Sequence, residues 1–122
     1  MNRTVLCIED DPDNINLMRR LLQRRPGTIV RLACNARDGI ETARTERPAL
    51  ILLDNRLPDA TGREVLRQLA SEPETAGIPV VAISGDSGRS AVDELLAAGA
   101  SDFLCKPFDI HQFLTIVDRH LA

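Results

Sequence analysis

The sequence predicts a single α/β domain built on a doubly wound, five-stranded parallel sheet with helices on both faces. Three observations carry that expectation. Short apolar runs rich in β-branched residues alternate five times with stretches of helical period. Successive strands lie roughly 20 to 30 residues apart, the room that a crossover helix between parallel neighbours requires. The run Ala49–Leu53 is apolar without alternation, as in a strand covered on both faces, and it stops at Asp54.

Each element has its own local signal. Thr4–Ile8 reads as the first strand and ends in Glu9, Asp10, Asp11 and Pro12. Asp11 as N-cap and Pro12 at the first helical position open a helix whose Ile15, Met18, Leu21 and Leu22 keep helical spacing. Arg19, Arg20, Arg24 and Arg25 crowd its second half, where cations suit the macrodipole, and Pro26-Gly27 closes it. Thr28–Ala33 is the second strand, and Asn35 with Asp38 caps a helix running to about Glu46. Pro48 admits the third strand. After it, Asn55, Pro58, Asp59 and Gly62 are turn residues, so the Asp54 carboxylate is presented at a loop mouth.

Thr61 and Glu64 have the form of a capping box, with Val65, Leu66 and Leu69 on the inner side of the helix that follows. The segment Ser71–Pro79 breaks that helix and leads to the fourth strand, Val80–Ile83, which ends at Ser84. A fourth helix carries Val92, Leu95 and Leu96 and stops at Gly99, a C′ glycine. The fifth strand, about Asp102 to Cys105, ends at Lys106-Pro107. Asp109 and Gln112 cap a last helix that turns Phe113, Ile116, Val117 and Leu121 inwards.

Composition narrows the function classes. The 122 residues suffice for one core and carry no linker, low-complexity tract or repeat, so residues 1–122 are expected to form one domain. A net charge of −3, with no Trp, no Tyr and only three Phe, argues against a nucleic-acid surface or a base-stacking platform. No apolar run approaches the ~18 residues of a membrane span, and no signal-peptide pattern follows Met1. Cys7, Cys34 and Cys105 are odd in number and set among apolar neighbours; they are expected as buried free thiols in a reducing cytoplasm.

Ligands of doubly wound sheets bind beyond the carboxyl ends of the strands. The reactive residues fall in that layer: Glu9 and Asp10 after strand one, Asp54 after strand three, Ser84 after strand four and Lys106 after strand five. Taken singly, each has a plain structural reading as a turn, cap or surface residue. Gathered at one rim, they do not. Two carboxylates ~5 Å apart repel by ~3 kcal/mol at an effective dielectric of ~20, so such a cluster takes up a proton or a cation. Oxygen-only ligands at an open mouth suit Mg²⁺. An anionic, cation-holding pocket with a hydroxyl and an ammonium on its other sides is equipped to handle a phosphoryl group, with Asp54 as nucleophile.

These residues resemble a known family. V-L-C-I-E-D-D-P, I-L-L-D-N-R-L-P-D-A-T-G, I-P-V-V-A-I-S-G and A-G-A-S-D-F-L-C-K-P-F, together with the intervals from Asp54 to Asp10, Ser84 and Lys106, are similar to the response-regulator receiver domains of two-component signalling over the whole chain. The resemblance implies a flavodoxin-like (βα)5 sandwich with strand order 2-1-3-4-5 and phosphorylation of Asp54. It also implies Mg²⁺ held by Asp10, Asp54 and the main-chain carbonyl of Arg56 with Glu9 in the outer shell, a cis bond before Pro107, and a switch in which Ser84 moves inwards and Phe103 rotates behind it. Ser84 stands where Thr is frequent and Phe103 where Tyr is common.

The pattern R-P-A-L-I-L-L-D-N-R-L-P-D-A-T-G-R-E-V-L looks most like receivers at the C-terminal end of hybrid sensor kinases, so an excised segment and a stand-alone regulator both remain open. The implied donor is a sensor histidine kinase or a histidine phosphotransfer protein, docking on the first helix and the loops around the site. No output domain is expected after residue 122, which leaves a downstream protein contact or phosphoryl storage. The protein is expected to be a phosphoacceptor and not an enzyme. Arg56 and Asp86 are expected to pair across the mouth and slow the attacking water. Rival readings fit less well. A haloacid-dehalogenase hydrolase needs a second Asp where Arg56 stands, a nucleotide binder needs a Gly- or Ser/Thr-rich loop where Glu9–Asp11 stand, and an interaction-only pseudo-receiver would lack one of the key residues.

Overall fold

The computed structural model describes residues 2–86 and 88–121. Five strands and five helices alternate: β1 (Arg3–Ile8), α1 (Pro12–Leu22), β2 (Thr28–Ala33), α2 (Ala36–Glu46), β3 (Leu50–Asp54), α3 (Gly62–Ser71), β4 (Val80–Ser84), α4 (Arg89–Ala97), β5 (Asp102–Cys105) and α5 (Ile110–Leu121). All strand pairings are parallel and the order is β2-β1-β3-β4-β5, the flavodoxin-like arrangement. The central strand β3 is buried at every position, Asp54 included.

Period-2 alternation divides the core into two layers. Leu6, Ile8, Ile51, Leu53, Val80 and Ala82 face α2, α3 and α4 and pack with Ile40, Val65, Leu66, Leu69 and Leu95. Val5, Cys7, Leu50, Leu52, Val81 and Ile83 face α1 and α5 and pack with Met18, Leu21, Leu22, Phe113 and Val117. A strand that must satisfy both layers has no polar face. That is why its sequence runs apolar without alternation.

Helix ends follow the local chemistry. The Asp11 side chain accepts from Asp13 N, Asn35 from Asp38 N, and Thr61 forms a complete capping box with Glu64. Asp109 and Gln112 cap α5 reciprocally, with Gln112 N donating to Asp109 Oδ1 at 2.6 Å. Gly99 adopts φ +121°, a value that only glycine takes without strain. Helix α1 stops at Leu22, earlier than Pro26, and two tight turns carry Arg24 and Arg25 onwards. Arg25 then grips Asp118 of α5 with two bonds of 2.6 and 2.7 Å, a tertiary tie beyond its expected dipole role. On α4 only Leu95 is buried; Leu96 is 43% exposed, because the helix rests on the sheet margin along one narrow line.

Helix α2 lies unusually close to β1. A Cβ placed at Gly39 would come within 2.6 Å of Ile8 Cδ1, so glycine is required for that approach. Among the described residues no helix is long and apolar enough to cross a membrane.

Candidate functional site

Parallel register brings the strand ends level. Ile8 lies opposite Leu53, Asp54 opposite Ile83, and Ser84 opposite Cys105. The residues one step beyond β1 and β5, Glu9 and Lys106, fall in the same alternation phase as Asp54, towards α1 and α5. Ser84 falls in the opposite phase. Lys106 is held in place by its own N–H, which donates to Ser84 O at 2.8 Å, and two residues further on the Phe108 ring stacks on Phe113 at 5.3 Å. The Lys106–Pro107 bond is cis.

The side chains converge. Lys106 Nζ lies 3.1 Å from Asp54 Oδ1 and 3.3 Å from Glu9 Oε1. Carboxylate oxygens of Glu9, Asp10 and Asp54 all lie within 4.8 Å of one another. Arg56 N–H donates to Asp54 Oδ1 at 3.3 Å, so both donors that reach Asp54 fall on the same oxygen. The main-chain N–H groups of Asp10 and Asp11 donate to Glu9 Oε2 at 3.1 and 3.3 Å. Above this layer opens a cleft of about 730 Å³ lined by Asp10, Asp54, Arg56, Ser84, Asp86 and Lys106. Glu9, 2% exposed, is buried against Lys106 and does not line the cleft itself.

Electrostatics around Lys106 are unbalanced. Burial, and then the neighbouring Asp54 carboxylate, push Glu9 up to about 7. Burial opposes the charge on Lys106, yet Asp54 and Glu9 outweigh it and hold the ammonium above its ordinary range. Three carboxylates face one ammonium, which leaves negative charge that a small, hard cation can neutralise. The donors are all oxygens, one of them exposed on Asp10, and this set fits a divalent ion that keeps part of its water shell.

The profile of the response regulator receiver domain matches residues 5–118. The chain belongs to this family. The receiver is similar over all 122 of its residues, at 28% identity and over 98% of the relative, to the polar-differentiation response regulator DivK of Brucella anthropi. It also resembles the receiver domain of a sensor histidine kinase from Pseudomonas aeruginosa, whose crystal structure has a magnesium ion coordinated in the active site cleft. That likeness has a TM-score of 0.88 at 26% identity and covers 99% of this chain and 98% of the other. The fold is shared as well with a chemotaxis response regulator of Vibrio cholerae, at TM-score 0.90 and 24% identity over 98% of both chains.

Within the receiver, Phe103 is half-buried and pairs in register with Ala82, so it shares a sheet face with Ser84. Arg56 and Asp86 both line the cleft but form no ion pair. The Asp86 carboxylate accepts instead from Gly88 N at 2.9 Å, a bond within its own loop that costs less ordering than one across open water. The thiols also depart from expectation. Cys7 is buried, and burial pushes its thiol up to about 12, but Cys34 is exposed and Cys105 half-buried, because both stand at strand ends where the helices no longer cover the sheet.

Two residues that the sequence offers only as turn formers make contacts of another kind. Asn55 Nδ2 approaches Ser84 Oγ at 3.5 Å, while Asp86 N donates to the same hydroxyl at 3.1 Å. Asp59 reaches from the β3–α3 loop to the start of α2, where Oδ1 accepts from Ala36 N at 2.8 Å and Oδ2 from Arg37 N at 3.1 Å. No local pattern announces either contact, since each partner lies more than twenty residues away in the chain.

Proposed function

We propose that this receiver accepts a phosphoryl group from a phosphohistidine protein onto Asp54, in the presence of Mg²⁺, and changes shape through Ser84 and Phe103. The observation that carries the reading is the placement of Lys106 Nζ 3.1 Å from Asp54 Oδ1 beside carboxylate oxygens gathered within 4.8 Å. Asp10, Asp54 and the main-chain carbonyl of Arg56 would hold the ion, with Glu9 in its outer shell. When bound, Mg²⁺ supplies charge neutralisation at the phosphoryl oxygens.

The protein groups do the remaining work. An Asp54 oxygen attacks phosphorus, an O–P bond forms and the donor's P–N bond breaks, with the imidazole nitrogen leaving protonated. The Lys106 ammonium sits against a developing phosphoryl oxygen, and the Ser84 hydroxyl donates to another. Asn55 and Asp86 N already donate to that hydroxyl, which directs its own proton outwards. As Ser84 moves towards the phosphoryl, space opens on its sheet face. Ala82, small and in register with Phe103, lines that space and favours rotation of the ring.

The chain acts as a phosphoacceptor and not as an enzyme turning over a separate substrate. Its partners are a sensor histidine kinase or histidine phosphotransfer protein and a possible downstream protein target, in the cytoplasm. Incubation with acetyl phosphate and Mg²⁺, followed by intact-mass measurement, is expected to show one added phosphoryl that is absent from Asp54→Ala. Unchanged mass after incubation with acetyl phosphate and Mg²⁺ would sink the reading and leave an interaction-only module.

A further inference from the structure

We propose that Asp59 is a positioning residue that fixes the distance between the two loops carrying the cation ligands. The inference rests on the phosphoacceptor reading above and assigns to Asp59 a task that its turn position does not suggest. The ligand atoms come from two separate pieces of backbone, Glu9 and Asp10 after β1, and Asp54 with the Arg56 carbonyl at the β3–α3 loop. Mg²⁺ demands near-ideal octahedral geometry at roughly 2.0–2.1 Å, so the two pieces must keep their spacing to a few tenths of an ångström.

The β3–α3 loop is tied at its base and at its tip. At the base, Gly62 N donates to Asn55 O at 2.8 Å, Arg56 bridges Thr61, and Leu57 N donates to Ala60 O at 3.2 Å. These rungs fix the shape of the loop but not its placement. At the tip, Asp59 docks both carboxylate oxygens on the first two amides of α2. Those amides hold the Asp59 carboxyl below the usual range, so the contact is made by the charged form.

Helix α2 is in turn bound to β1. Glu9 N donates to Ala33 O at 2.9 Å, three residues before Ala36, and Gly39 packs directly on Ile8. Hydrogen bonds and the covalent chain together therefore run round the acidic rim. From Glu9 the path crosses to Ala33, follows the chain to the start of α2, crosses to Asp59, and returns through the loop to Arg56 and Asp54. Asn35 caps a different amide of the same helix, Asp38 N at 2.8 Å, which leaves the Ala36 and Arg37 amides to Asp59.

The test uses the full chain. Magnesium binding to wild type, Asp59→Ala and Asp59→Asn is measured by calorimetry, with the Ala36 and Arg37 amide signals followed by ¹H–¹⁵N NMR. The expected result is at least a threefold weaker Mg²⁺ Kd in Asp59→Ala, with Asp59→Asn between it and wild type. The acetyl-phosphate reaction at saturating Mg²⁺ is expected to stay within twofold. Thr75→Val is the control for stability alone. It deletes the buried hydroxyl bonded to Leu69 O at 2.6 Å, far from the rim, and should lower the urea midpoint without moving the Kd.

If the Ala36 and Arg37 signals move in Asp59→Ala while its Kd stays within 1.5-fold, Asp59 positions nothing. Should Asp59→Ala not fold, the same comparison is read from Asp59→Asn. Wild type that binds no Mg²⁺ overturns the phosphoacceptor reading itself, a failure distinct from equal binding by wild type and variant.

Discussion

The Lys106 ammonium and the Asp54 carboxylate, 52 residues apart in the chain, meet at 3.1 Å on the rim of the sheet. The same contact pulls in two directions. On the proposed reading it prepares a counter-charge for an incoming phosphoryl, yet it competes with any cation for the Asp54 oxygens. Lys106→Met should therefore tighten Mg²⁺, by about two- to tenfold, because a charge pair worth about 1 kcal/mol is removed from a partly exposed site. It should also slow phosphoryl gain from acetyl phosphate by tenfold or more. Calorimetry and intact mass read the two effects separately. A variant in which both fall together would mean that Lys106 merely supports the fold.

Glu9 gives the site a pH dependence of defined sign. Its carboxyl titrates near 7 in the folded protein, against 4.5 for an ordinary glutamate, so the folded state prefers the protonated form. The stability that this contributes is complete below about 4.5 and is lost as pH rises through 7. Without divalent ions, the thermal midpoint should fall between pH 5 and pH 8. Glu9→Gln should lose that slope and exceed wild type at pH 8, on the order of 1–2 kcal/mol. Added Mg²⁺ should recover wild type and help the variant less. Parallel pH profiles for wild type and Glu9→Gln would refute this account.

Gly39 offers a check on the close approach of α2. An alanine there gains up to about 1 kcal/mol of helix propensity but drives a Cβ to 2.6 Å from the fully buried Ile8. Overpacking of this kind costs about 1–3 kcal/mol, so Gly39→Ala should be net destabilised in urea unfolding. Ile8→Val, which removes the clashing Cδ1, should recover part of the loss in the double variant. Gly39→Ala at or above wild-type stability would show that the layer yields easily.

Much of this molecule can be read along the chain because its signals are local. Asp11, Asn35, Thr61 and Asp109 each cap within three residues, and strand bounds differ by no more than a residue. The thiols were less legible. Apolar neighbours describe a segment, and whether Cys34 is covered depends on where α2 turns away from β2. Helical spacing likewise places Val92, Leu95 and Leu96 on one helix without saying how wide a contact the sheet edge allows, and only Leu95 is buried. Arg56 and Asp86 both line the cleft, but sharing a cleft is not pairing, and Gly88 N supplies Asp86 with a nearer partner.

By itself the sequence determined five strand–helix units, their caps, and the layer in which Glu9, Asp10, Asp54, Ser84 and Lys106 must lie. Hydrophobic period and capping act over a few residues, and the strand end is a place that the chain itself marks. Only tertiary structure decided that Lys106 contacts both Asp54 and Glu9, that Glu9 is buried with its carboxyl pushed up to about 7, and that Asp59 reaches α2. Those outcomes depend on parallel register and on the close seating of α2 at Gly39. Both are set by the packing of all the elements together, which no single stretch of residues specifies.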